Sequence, residues 1–301
     1  MKYYVFGGTN LDLNAKLDTP VALHESNPCE AKFTYGGVGR NIARAIGNYD
    51  FCYFISAFNN SPLMSSLIED LHFHNVDTTL SKTFITDANS IYINIIDNNG
   101  LVVGASDMGL IDKLKISHVK EAISLTREDD IIICDTNLSP QILEYILTHS
   151  KGYKVIDSVS SKKLKKVKDI ASKFDLIKCN QYEKEMIDLT NMDYIVTYGD
   201  GFTVKYQGTK LSCHHKLVNL VNPSGCGDTF FGTFLSNIKK GLKEALTLSI
   251  KAASASALTK ESVPTLDEIN SIKEDELDIR WTYDNWFSCS SKWWKDYKWY
   301  N

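Results

Sequence analysis

Residues 222–234 read NPSGCGDTFFGTF. Gly225 and Gly227 flank Cys226, Asp228 follows at once, and an apolar run begins after it. A glycine turn that opens a helix leaves several backbone N–H groups without intrahelical partners, and with the helix dipole these form an anion site. Glycines at 225 and 227 let that backbone approach a phosphate with no Cβ in between. A carboxylate in the first helical turn repels a bound phosphate, an arrangement that makes chemical sense where it accepts a proton from a phosphoryl acceptor. Asp228 therefore reads as a candidate base. Aspartate is also favoured at the N-terminus of any helix, and the stretch alone leaves both readings open.

Three further stretches carry the same kind of chemistry. GGVGRNIARAIGN (36–48) places glycines before a helix, with Arg40 and Asn41 in its first turn. A dinucleotide fingerprint fails there, because no third glycine follows Gly37 and Gly39. No GxxxxGK[ST] occurs, which excludes a P-loop enzyme. CNQYEKE (179–185) spaces Asn180 and Glu183 onto one face of a turn just past a strand, where ligand and metal sites of open α/β sheets gather. Mg²⁺ favours such a carboxylate, often through water, but the same spacing is that of a helix start capped by a glutamate. TYGDG (197–201) is a strand-to-glycine turn suited to backbone contact with a nucleotide. His72 with His74, and Cys213-His214-His215, have the residue types of metal ligands, but neighbours on a strand face opposite ways and no second cluster matches them. The lysines of KKLKKVK (162–168) read as the solvated face of an amphipathic helix buried through Leu164 and Val167.

These stretches need a scaffold. YYVFG (3–7), FCYFISAF (51–58), IIICD (131–135), YKVID (153–157), DLIKCN (175–180) and DYIVTYG (193–199) have strand character. Helical runs lie between them, at SPLMSSLIEDLHFHN (61–75), SPQILEYILTH (139–149) and KKLKKVKDIASKF (162–174). Alternation of this kind predicts a mostly parallel sheet covered by helices on both faces. Two segments interrupt it. One spans about residues 13–35. The other, NSIYINIIDNNGLVVGAS (89–106), reads as a hairpin around Asp97-Asn98-Asn99-Gly100. Ser90, Tyr92 and Asn94 alternate with Ile91, Ile93 and Ile95, giving one polar and one apolar face. We expect one α/β domain over residues 1–265 carrying a small β lid from about 13–35 and 89–106. Residues 266–301 are expected to hold a C-terminal helix and an aromatic tail of unassigned role, with all five tryptophans at or beyond Trp281.

The totals exclude several classes. A net charge of −4 supplies no global attraction to a phosphate backbone, so a nucleic-acid partner is not expected. No apolar run approaches the roughly 20 residues of a membrane helix, and the first residues carry no apolar signal core. Seven scattered cysteines without a CxxC pair are expected to be reduced thiols of a cytoplasmic protein.

In this order, GGVGRN, the NxxE step and GCGD resemble the signatures of ribokinase-type (PfkB) carbohydrate and nucleoside kinases. TNLD (9–12), SNP (26–28), KFTYGGVGRNIA (32–43), SIYINIID (90–97), SDMGLI (106–111), DTNLS (135–139) and VIDSVS (155–160) are similar to one branch, the pseudouridine kinases. The similarity runs over most of residues 3–260, and the combination is specific where no single element is. The resemblance implies a ribokinase-like three-layer α/β/α fold with a small β lid. It implies ATP-dependent, Mg²⁺-assisted phosphorylation of the ribose 5′-hydroxyl of pseudouridine. Within the same fold, another nucleoside or sugar is an alternative acceptor, and a non-catalytic nucleoside-binding homologue is an alternative of another kind.

The resemblance also implies roles. Asp228 is the base, and Gly225, Cys226 and Gly227 form the anion hole for the γ-phosphoryl group. Asp12 and Asn41 hold ribose hydroxyls, Gly36 and Gly37 allow close approach, and Asn10, Arg40 and Asn137 belong to the substrate side. Ser90 and Tyr92 face inward from the lid. Asn180 serves phosphate, Glu183 holds Mg²⁺ through water, and Thr197, Gly199 and Gly201 line the ATP side. A homodimer through the apolar face of the lid is implied as well. The chain departs from the family pattern at three places. Cys226 replaces the usual alanine. Asn222 stands where many relatives carry an aspartate linked to a monovalent-cation site, which argues against a K⁺ requirement. The interval from Glu183 to Thr197 is short by a helix, and the aromatic tail could replace some of the missing nucleotide wall.

Overall fold

Strands that run apolar from end to end belong in the middle of a sheet buried on both faces. YYVF (Tyr3–Phe6) and IIICD (Ile131–Asp135) are buried at every position, and they pair in parallel at the centre of the large sheet. The computed structural model describes residues 1–216 and 224–283; Asn222 and the tail beyond residue 283 lie outside the described residues. Among the described residues the large sheet has ten strands. From one edge they run Val76–Asp77, Cys52–Ile55, Tyr3–Phe6, Ile131–Asp135, Tyr153–Asp157, Leu176–Asn180 and Asp193–Thr197, all mutually parallel. Gly201–Tyr206, Thr209–His214 and Arg280–Tyr283 then continue it as an antiparallel meander.

Helices cover both faces, as the alternation predicts. Val38–Gly47, Cys226–Asn237 and Leu242–Leu258 pack together on one side, while Ile116–Ser124, Pro140–His149 and Ser161–Ala171 pack in series. Ser61 and Ser139 cap their helices by accepting from the N–H of Met64 and Ile142, each with proline at the first helical position. No helix among the described residues is long and apolar enough to cross a membrane.

A separate four-stranded sheet has the order Glu30–Gly36, Asn10–Lys16, Ile91–Asp97, Gly100–Asp107. Its face alternates as the sequence predicts, since Ser90 and Asn94 are buried and Ile93 is exposed. One strand of this small sheet starts at Asn10, directly after the central strand Tyr3–Phe6 and its glycines, so the lid is rooted at the middle of the large sheet.

Two connections bear on the far end of the site. Between Asn180 and Asp193 the chain forms one four-residue helix, Gln181–Lys184. Beyond residue 265 the chain forms the helix Leu266–Ser271 and then Arg280–Tyr283, which adds to the large sheet beside Thr209–His214. Trp281 is thereby set against Phe202, with ring centroids 6.1 Å apart.

Candidate active site

The site lies along the C-terminal ends of the parallel strands, the usual location in an open α/β sheet. Asp135 ends its strand fully buried, and its carboxylate collects three backbone N–H groups. Oδ2 accepts from Gly8 at 2.8 Å and from Gly39 at 2.9 Å, and Oδ1 accepts from Asn137 at 2.8 Å. One carboxylate thus ties the root of the lid, the glycine turn and the DTN loop together. Gly37, at φ 98°, begins the helix Val38–Gly47 in a backbone region that a side chain would strain. An added Cβ there would meet the Cα of Thr9 at 2.6 Å.

That turn delivers Asn41 to Asp228. Arg40 donates to Asn41 Oδ1 at 3.2 Å, which fixes the amide so that Nδ2 donates to Asp228 Oδ2 at 2.9 Å. Arg40 itself is not turned towards the substrate side. Its guanidinium is buried, donates to Asp70 Oδ2 at 2.5 Å and stacks over Tyr35. It orients Asn41 and does not line the cavity.

Asp228 stands in the first turn of Cys226–Asn237, with Gly225 as the left-handed residue before it at φ 84°. Gly225 faces the carbonyl of Ser262, and only a residue without Cβ fits there. Burial raises the Asp228 carboxyl from 3.8 to about 6, the charges of Asp157 and Asp135 add to the rise, and Lys178 and Asn41 oppose it. Asp12, buried on the lid strand, is pushed by burial to about 7, with Asp228 adding and Arg40 and Asn10 opposing. Asn10 Nδ2 donates to Asp12 Oδ1.

Two cavities meet at this helix end. The first, about 390 Å³, is lined by Asn10, Asp12, Gly37, Asn41, Tyr92, Asn137 and Asp228, all named from sequence. The second, about 190 Å³, is lined by Thr197, Gly199, Gly201, Cys226 and Gly227, again expected from sequence, and by Phe202, Phe230 and His215, to which the sequence assigned no nucleotide contact. Gly227 borders one cavity and Asp228 the other, so the first turn of the helix is the partition between them. Trp281 backs Phe202 rather than forming the wall itself.

Other expected residues fall elsewhere. Ser90 is buried but borders neither cavity; its carbonyl accepts from Leu11 N–H at 3.0 Å. Gly36 lies under the Asp12 carboxylate, whose atoms a Cβ would strike. Asn180 and Glu183 form a capping box. Asn180 accepts from Glu183 N–H at 3.0 Å, and Glu183 accepts from Asn180 N–H at 2.9 Å, from Asn180 Nδ2 at 2.7 Å and from Ser158 Oγ at 2.5 Å. These three donors occupy most of the roughly four acceptor positions of a carboxylate, leaving one for a water carried by a metal. Among the described residues no group of three or more His, Cys, Asp or Glu side chains could hold a metal directly. The residues fit Mg²⁺ held through water and chiefly by a nucleotide's phosphates.

The lysine run 162–168 is not only a solvated face. Lys162 and Lys163 line the first cavity, and Lys163 Nζ donates to Asn137 Oδ1. Burial lowers the Lys163 ammonium while Asp135 supports it. Of the adjacent histidines, His215 borders the second cavity and His214 is exposed beside Asp200.

Known proteins resemble this chain in sequence and in fold. The pfkB family carbohydrate kinase pattern matches residues 2–268. The chain is 27% identical over 188 residues to the pseudouridine kinase of Escherichia coli K12, a match covering 61% of this chain and 59% of that protein. It is 22% identical over 305 residues to the ribokinase of Staphylococcus aureus, covering 90% of this chain and 99% of that one. The solved carbohydrate kinase of Agrobacterium tumefaciens superposes with a TM-score of 0.76 at 22% identity, covering 94% of this chain and all of the other, 100%. Its ribokinase-like fold is therefore that of this chain, and the chain belongs to the pfkB carbohydrate kinase family.

Proposed function

We propose that the protein transfers the γ-phosphoryl group of ATP to the 5′-hydroxyl of pseudouridine, giving pseudouridine 5′-phosphate and ADP. One observation carries the reading: Asp228, a buried carboxylate at about 6, opens into the acceptor cavity one residue after Gly227 borders the nucleotide cavity. A helix N-terminus with its base attached suits in-line transfer from one cavity to the other.

The acceptor corner is built for ribose. Asn10, Asp12 and Asn41 converge beside Asp228 and offer donors and acceptors to hydroxyl groups. The same cavity also offers Asn137, Lys163 and Tyr92. A free pentose would leave some of these groups to water. Uracil, with two carbonyls and ring N–H groups, would use the Asn137 amide and the Lys163 ammonium. The 27% identity to the E. coli pseudouridine kinase supports the same choice. A ribose acceptor is the second reading, favoured by the nearly full-length match to a ribokinase.

A ribose hydroxyl is a weak nucleophile at neutral pH. Asp228, mostly ionised above pH 6, accepts its proton as the bond to phosphorus forms. Backbone N–H groups of Gly225, Cys226 and Gly227 face the phosphoryl oxygens. Mg²⁺, when bound with ATP, neutralises charge on the phosphates, and Glu183 would hold it through water. The lid excludes water, which would otherwise take the phosphoryl group. Phosphorus NMR of a reaction with ATP and pseudouridine tests the reading: a 5′-phosphomonoester should appear with ADP, and inorganic phosphate alone would refute it.

A further inference from the structure

The ammonium of Lys178 lies behind the first turn of Cys226–Asn237, against Gly227. Lys178 lies two residues before Asn180 on the strand Leu176–Asn180, and its side chain is 12% exposed. Its Nζ is 2.9 Å from Asp157 Oδ2, whose side chain is 1% exposed. A Cβ built on Gly227 would lie 2.9 Å from the same Nζ, so the ammonium rests against the anion-hole backbone at the second residue of the helix. Gly227 being a glycine is what gives the ammonium that room. The charges of Asp157, Asp228 and Glu183 hold Lys178 protonated well above its ordinary value in spite of burial. A group held that firmly charged does not serve as a base. Asp157 occupies one of its three N–H donors. A buried ion pair is weak support for a fold by itself, because desolvation offsets most of the attraction. Its position at the head of the anion hole suggests a different use.

We propose that Lys178 is a catalytic residue that contacts a non-bridging oxygen of the phosphoryl group in flight. The proposal rests on the phosphotransferase reading above. The bond from phosphorus to the bridging β-phosphate oxygen breaks, and its electron pair leaves with ADP. The bond from phosphorus to the acceptor oxygen forms, and the acceptor's proton passes to Asp228. Lys178 keeps its proton throughout and supplies fixed positive charge where charge redistributes between the two oxygens. Asp157 aims it. No such role follows for Lys184, four positions past the strand end and bordering a separate cavity with Asp188 and Lys205.

The test uses the full chain carrying Lys178→Met, Lys178→Ala, or Lys178→Met with Asp157→Asn, the last so that no buried carboxylate is left unpaired. Each is compared with the parent in melting temperature, ADP and ATP affinity, acceptor KM and kcat. Loss of one preorganised donor predicts a kcat lower by about 100- to 1,000-fold. The acceptor KM and ADP affinity should stay within about threefold, because those interactions are made elsewhere. ATP should lose more affinity than ADP, and ethylammonium should restore part of the turnover of Lys178→Ala. Turnover retained in the folded double variant overturns the proposal. So does a parallel loss of ADP affinity and melting temperature with no rescue by the amine, which marks a structural ion pair. A parent that forms no ADP with any acceptor sinks the phosphotransferase reading instead. The gap between ATP and ADP affinity then still decides whether Lys178 faces the γ-phosphoryl position.

Discussion

Replacing Asp228 by asparagine separates catalysis from stability. Asparagine keeps the size of the side chain and can still accept from Asn41 Nδ2, the bond seen at 2.9 Å. It cannot accept the proton of the acceptor hydroxyl. A positioned base contributes about 100- to 10,000-fold, and turnover should fall by that much. Stability should move the other way. Burial raises the carboxyl from 3.8 to about 6, so the folded chain binds that proton more tightly than the unfolded chain does. The stability this supplies is complete below 3.8 and lost as the pH rises through about 6. At pH 8 the ionised carboxylate therefore costs the fold about 2 pH units, or about 3 kcal/mol. Removing it should raise the melting temperature by roughly 6 °C at pH 8, at about 2 °C per kcal/mol for a chain of this size. At pH 3.5 the two proteins should melt together. Calorimetry at both pH values and a coupled ADP assay measure all of this. Turnover within tenfold of the parent would refute the base assignment. A lower melting temperature for the variant at both pH values would refute the claim that the site holds its carboxylate against burial.

Three other outcomes follow from the geometry. The acid limb of kcat/KM should fall between about 6 and about 7, where Asp228 and Asp12 protonate, and Asp12→Asn should move it down towards about 6 while raising the acceptor KM; a pH–rate series reads both. Glu183→Ala should lower the melting temperature as well as turnover, since it removes the acceptor for Asn180 and Ser158; the loss of a cap costs about 1 kcal/mol. Phe33, Ile93 and Val103 expose apolar surface on the small sheet, and a lid-to-lid dimer predicts that Ile93→Lys shifts light-scattering mass towards the monomer.

Local patterns told much of this in advance. The alternation of Ser90, Tyr92 and Asn94 with isoleucines gave the faces of the hairpin, because strand geometry alone sets them. The glycines around Cys226 announced a backbone site, and the structure does put Asp228 and Gly227 on either side of it. What stayed hidden depends on distant partners. Arg40 follows the glycine turn like a ligand residue, but Asp70 on another helix claims it. Leu164 and Val167 show which face of their helix is buried and say nothing of what the first turn meets, so Lys163 read as solvated. NxxE is equally the spacing of a capping box, and Glu183 is one. Asp135 gathers amides from two remote turns, and its sequence neighbours carry no sign of them. Lys178 and Asp157 meet only because their strands are adjacent.

The central claim is that Asp228 and the anion hole serve a nucleoside with a uracil ring. Comparing kcat/KM for pseudouridine, uridine, adenosine, ribose and fructose, with ADP release as the readout, tests it most directly. Pseudouridine should give the highest value, and ribose a value lower by at least about tenfold, the worth of one lost polar contact to Asn137 or Lys163. Equal or better turnover of ribose would contradict it.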